Sequence, residues 1–296
     1  MSIIVAETLP VSRTIWQRLI ADRYFFCGFV ILFALTGLAV AAPWLAPFNP
    51  EDVDLFSIES PPDAIHWLGT DEIGRDVLSR LLYGGRVSVL VGLSAVLVQL
   101  VIGVFLGSLA GYFSGIVDAG IMRLTEVVMC FPFYAIAITL AAIFGASVWN
   151  VILIIGILNW TGLARLVRAE LLSLREREYV LAAKAMGVSH VRIIAHHLLR
   201  NAYGPILVYA TLAVAHGILA EAALSFLGLG VRQPQASWGN MLSAAQSMRV
   251  ISYQWWLWVP PGIAIVAMVL SINFVGEGLA RTLNARPITP IKDLKP

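Results

Sequence analysis

The chain has 296 residues, of which 59% are hydrophobic and only 13% charged, about half the charged share of a soluble domain, and its mean hydropathy is +0.82. That balance excludes a soluble globular protein and identifies an integral membrane protein. A formal charge of +2 says little about partners, among which no nucleic acid is expected, and both cysteines, Cys27 and Cys130, fall in apolar runs, where a thiol behaves as a small hydrophobe and no disulfide is expected.

The N-terminal segment 1–24 is a polar tail. The first apolar run is followed by Pro43, Trp44 and Pro47, not by a small-residue cleavage site, so it is read as a retained membrane helix. A helix crosses the hydrocarbon core with about 20 apolar residues, and six runs qualify: 25–46, 87–113, 122–145, 148–169, 202–229 and 258–280. Arg123 and Glu126 enter the third; Asn159, Trp160 and Arg165 interrupt the fourth. The segment 47–86 is acidic and begins with prolines, which predicts an extended excursion. Its end, DEIGRDVLSRLLYG, sets Val77, Leu78, Leu81 and Leu82 on one helical face, so it reads either as a short helix lying on the membrane or as a solvated connector. The other long loop, near 230–257, ends in QWWLWVP, where Trp255, Trp256 and Trp258 suit an interfacial belt. Glycines in LGSLAGYFSG and FLGLG are expected to permit close helix packing.

Orientation follows from the basic residues. With the N-terminus inside, fifteen of the twenty Lys and Arg fall on inner segments, among them Arg13, Arg18, Arg23, Arg286, Lys292 and Lys295. Both termini, including the tail 284–296, and the segment 173–200 are therefore expected on the cytoplasmic side. There, Tyr179, Val180, Ala183 and Met186 share one face of a short helix, with Glu178 and Lys184 toward its other sides. Gly187 stands where a left-handed C-cap requires it. A second helix from about Ser189 to Leu199 follows, carrying Ile193, Ile194, His197 and Leu198. The small Ala182 and Ala183 would admit another protein's backbone.

This hairpin resembles the cytoplasmic EAA loop of permease subunits of bacterial ATP-binding-cassette importers: Ala182, Ala183, Lys184, Gly187, Ile194 and Leu199 match, and Arg200 stands where many members have Pro. HWLGTDEIGRDVLSRLLYGGRVSV (66–89), EAALSFLGLGVRQPQASWGNML (221–242) and PGIAIVAMVLSINFVGEGLARTL (261–283) are similar to the subfamily serving dipeptides, oligopeptides and nickel, in its second, C-type subunit. Glu277 stands where Asp is common. The resemblance implies an all-α type I permease fold with six transmembrane helices, a core over 87–283 and a helix-turn-helix coupling loop over 173–200. It also implies a place in the bacterial inner membrane beside a homologous permease, two ATP-binding subunits and an extracytoplasmic substrate-binding protein. ATPase coupling would fall on Glu178, Ala182, Ala183, Lys184, Gly187, Ile194 and His197.

No phosphate-cradling Gly-rich loop with Lys-Ser/Thr occurs, so ATP and Mg are expected on the partner ATPases and no cofactor or catalytic group in this chain. No metal site is expected: His196 and His197 point about 100° apart on a helix, and His66 reads as a solvated residue. Polar residues within the membrane tend to face cavities or partners; Gln99, Glu126, Asn159, His216, Glu221 and Asn273 are such residues, and Glu221, His216 and Asn273 are the candidates for the translocation path, against structural hydrogen bonds within the bundle. An ion-gradient transporter would show paired interrupted helices, and none is evident.

Overall fold

A computed structural model describes residues 15–284; the expectations that rest on 1–14 and 285–296, Arg13, Arg286, Lys292 and Lys295 among them, lie outside the described residues. Every element named below is helical. Helix α1 (Ile15–Ala21) leads through Asp22 into α2 (Arg23–Val40), whose first N–H groups, on Tyr24 and Phe25, donate to the Asp22 carboxylate at 3.0 and 3.1 Å. This is ordinary N-capping. A short turn, α3 (Ala42–Leu45), carries Pro43 at its start.

The second expected span begins ten residues earlier than hydropathy marks it. Helix α4 runs unbroken over Val77–Phe113, so the amphipathic stretch is no separate surface helix: it is the first turns of α4. The cause is Asp76, whose Oδ2 accepts from the Ser79 N–H and hydroxyl, both at 2.7 Å. A cap decides where a helix begins, and hydropathy does not.

The third expected span, 122–145, is two helices. Helix α5 (Gly115–Met129) and α6 (Phe133–Phe144) meet at a bend of 80°. Pro132 lacks an N–H and restricts Phe131, so the helical ladder stops there. Five helices are then long and apolar enough to cross a membrane among the described residues, or six if the bent pair is one span. The remaining three are α7 (Val148–Leu174), α9 (His190–Phe226) and α12 (Trp255–Asn284). Between α7 and α9 lies α8 (Glu178–Ala185); between α9 and α12 lie α10 (Trp238–Leu242) and α11 (Met248–Tyr253).

The closest packing joins α4 to α7. Gly103, Gly107 and Gly111, one helical turn apart, lie against Leu163, Ala164 and Leu171, so close that an added Cβ would meet them at 2.9, 2.6 and 2.8 Å. Between helices in lipid the attraction is mostly van der Waals, and small residues allow the close approach it needs. Four clusters of buried side chains occur among the described residues, and two of them mark the ends of the α4–α7 seam. One, with Val91, Ile155 and Leu224, sits toward the end that carries the 46–76 loop. The other, with Tyr112, Leu171, Val180 and Ile193, sits at the opposite end, under α8.

Candidate functional site: hairpin, cleft and outer face

At one end of the bundle, α8 and the start of α9 make the expected helix-turn-helix. Gly187 adopts φ +75°. The Val188 N–H donates to the Ala183 carbonyl at 3.1 Å and the Gly187 N–H to Lys184 at 3.0 Å, the paired bonds of a Schellman turn. The second helix does not stop at Arg200. It passes through a π turn, Ile193–Leu199, and continues as α9. The hairpin is thereby continuous with a membrane helix, and its tilt and that of α9 are linked.

The predicted coupling residues divide by burial. Ala183 is only 2% exposed, packed with Val180 and Ile193 on Tyr112 and Leu171, and so forms the hairpin's own base and not its outer surface. Ala182, Lys184 and Glu178 are exposed, and Ile194 and His197 are half-buried. Outward, the hairpin presents Tyr179, Leu181, Met186 and Val191, with Met186 and Val191 each 76% exposed.

Lys184 of the motif and His190 after it hold the hairpin to Tyr112 of α4, and two further contacts brace α7 beneath it. The Tyr112 hydroxyl is 2.7 Å from His190 Nδ1, and Lys184 Nζ stands 5.4 Å over the Tyr112 ring. Arg168 of α7 forms a two-pronged ion pair with Asp118 of α5, and Arg175 donates to Ser114. No spacing rule pointed to Tyr112, Asp118 or Ser114, since each lies 50 or more positions from its partner in sequence.

Within the membrane the three path candidates part company. His216 is exposed, its ring on the Leu212 carbonyl at 3.2 Å, and it opens on a cleft of about 280 Å³ that Gln99, Asn159 and Tyr209 also line. The Gln99 amide donates to the Asn159 carbonyl at 2.8 Å. Asn273 turns back on its own helix, donating to Val269 at 2.9 Å. Glu221 does not face a path: it is fully buried between α4 and α9, where Ser88 and Ser225 donate to its two oxygens.

At the far end, 46–76 packs on the 229–254 segment. Arg75 and Arg80, both buried, share Asp71 and reach the Gln233 side chain. His66 is not solvated as expected. It is buried, with Nδ1 2.9 Å from Asp76 Oδ1, so the residue that caps α4 also anchors the loop. The backbone N–H groups of His66 and Ile65 hold the Asp63 carboxyl below its usual range. Of the tryptophans expected in a belt, Trp255 is exposed, whereas Trp256 is buried and donates to the Thr70 carbonyl at 3.3 Å.

A bundle of long apolar helices, with a cleft between them, a helical hairpin continuous with one span and a packed face at the opposite end, is the architecture of a transport permease. The model of the binding-protein-dependent transport system inner membrane component family matches residues 103–288, and that of the N-terminal membrane domain of oligopeptide transport permease C matches 11–62. The chain is 42% identical to a putative peptide permease protein of Brucella suis over 96% of its own length and 93% of the relative's. It is 38% identical to the dipeptide transport system permease protein of Bacillus subtilis, over 94% and 87% of the two chains. With the oligopeptide transport system permease protein of Haemophilus influenzae it shares 37% identity, over 93% and 90%. The chain belongs to the binding-protein-dependent transport system inner membrane component family, as a permease subunit of an ATP-binding-cassette importer.

Proposed function

We propose that this subunit forms, with a homologous permease, the inner-membrane path for dipeptides or oligopeptides, driven by two ATPases that dock on the α8 hairpin. The single observation that carries the coupling role is the hairpin's division of labour. Its base is sealed onto α4 and α7, while its tip leaves Leu181, Met186 and Val191 uncovered among the described residues. Exposed apolar side chains on a polar end of a membrane protein are costly in water and fit a protein contact.

ATP and Mg2+ would be bound by the ATPases. Closure of those subunits would move the hairpin as a rigid body, and its continuity with α9 would carry the movement to the cleft beside His216. In this reading both termini are cytoplasmic, 173–200 is the coupling segment, and 46–76 with 229–254 meets the extracytoplasmic binding protein. Peptide as cargo is supported by the peptide permeases among the relatives and by the uncharged polar groups of Gln99, Asn159 and Tyr209 in an otherwise largely apolar cleft, which can exchange hydrogen bonds with a peptide backbone without holding it tightly.

The test is a photo-crosslinking residue at Met186 in the assembled transporter. A crosslink to the ATPase subunit that weakens when nucleotide is exchanged supports the coupling role. Crosslinking to lipid alone would remove the hairpin from the mechanism.

A further inference from the structure

The buried Glu221 is not used by the transport path, and its surroundings give it a different task. Its Oε2 accepts from the Ser88 hydroxyl at 2.8 Å and its Oε1 from the Ser225 hydroxyl at 2.7 Å. Each serine oxygen accepts in turn from the backbone of the outer segment: Ser88 Oγ from the Trp238 N–H at 3.3 Å, Ser225 Oγ from the Val231 N–H at 3.1 Å. Val231 and Trp238 are the two ends of one loop. A single carboxylate, through two hydroxyls, therefore holds both.

Both serine hydroxyls donate to Glu221, so their hydrogens point at the carboxyl and a lone pair of each serine oxygen faces the loop. The loop can reach these oxygens because Gly230 and Gly239 lie flat against Ser225 and Ala222, where a side chain would collide. Its tip, 232–235, is exposed and is steadied from the side, with Arg75 donating to the Gln233 side chain at 2.8 Å and Arg80 to the Pro234 carbonyl at 3.4 Å.

We propose that Glu221 is a positioning residue for the outer loop 231–238, and that this loop, held at both ends, is the rigid element that the binding protein engages. The second clause rests on the reading of the outer face given above; the first stands on the hydrogen bonds alone. Burying a carboxylate with hydroxyl partners is costly, and what the arrangement provides is a fixed loop shape at the outer end of α9. Movement of α9 then carries the loop with it.

The experiment is amide-resolved hydrogen–deuterium exchange on the complete transporter in nanodiscs. Loss of one such hydrogen bond is expected to speed exchange about two- to tenfold at the freed amide. Ser88→Ala should affect the Trp238 amide alone, Ser225→Ala the Val231 amide alone, and Glu221→Ala both. In Glu221→Ala the binding-protein concentration giving half-maximal ATPase stimulation should rise several-fold. Unchanged exchange in Glu221→Ala, or equal loosening of both ends by either serine variant, would overturn the positioning role. Should Glu221→Ala fail to assemble, Glu221→Gln decides: its amide keeps one acceptor and gains a donor, so one end of the loop should loosen while the other does not, and unchanged exchange at both ends would overturn the positioning role. An absence of binding-protein stimulation in the wild type would sink the reading of the outer face and leave the exchange pattern to be judged separately.

Discussion

Gly107→Val tests the seam on which the bundle depends. A Cβ at Gly107 would lie 2.6 Å from the Ala164 carbonyl oxygen, 2.8 Å from Val167 Cβ and 3.0 Å from Ala164 Cα. Two of these three are backbone atoms of α7, which cannot swing aside, and ordinary carbon contacts start near 3.5 Å. The helices must then part by roughly 1 Å along a stretch where Gly103 and Gly111 are equally tight. Overpacking of this kind costs about 1–3 kcal/mol, and valine's slightly better helix propensity returns only about 0.4 kcal/mol. The folded-to-unfolded ratio should fall about 3- to 80-fold, read as earlier loss of monodisperse complex on heating in detergent. Gly37→Ala is the matched control: it lies within α2 with nothing inside 4 Å, so its heat stability should be unchanged or slightly raised. Equal stability of Gly107→Val and wild type would refute the close α4–α7 contact.

Gly187→Asp should insert normally yet lose transport and ATPase co-purification, because an L residue at φ +75° costs about 1–2 kcal/mol and a charge enters the docking tip; wild-type values for both would remove the turn from coupling. Asp76→Ala should destabilise the outer face by about 2–4 kcal/mol, since it removes the α4 cap and leaves buried His66 unpaired, as a lowered denaturation midpoint would register; Asp76→Asn, which keeps one acceptor, should lose less. A protease site fused after Pro296 should resist external protease in right-side-out vesicles, and cleavage there would reverse the topology.

Much of this architecture is legible in the sequence, and the misses have physical causes. Runs of apolar residues mark the membrane helices because hydropathy averages over a span. It carries no information on direction, so 122–145 reads as one run although Pro132 turns the chain by 80°. Helix starts depend on single hydrogen bonds, and Asp76 placed the beginning of α4 well outside the apolar window. The left-handed turn at Gly187 was readable because only local geometry is needed. The roles of His66 and Glu221 were not, since each is defined by partners that the fold supplies: Asp76 ten residues away, and Ser88 at a separation of 133. The burial of Ala183 under its own hairpin likewise depends on Tyr112, which no motif includes.

The most direct test of the proposed function is uptake of labelled dipeptide, longer peptide and nickel by cells lacking this subunit, with and without its restored expression. Restored uptake of peptide alone, abolished when ATP is depleted while the ion gradient is maintained, is the predicted result. Rescue of nickel without peptide, or peptide uptake that survives ATP depletion, would contradict the account.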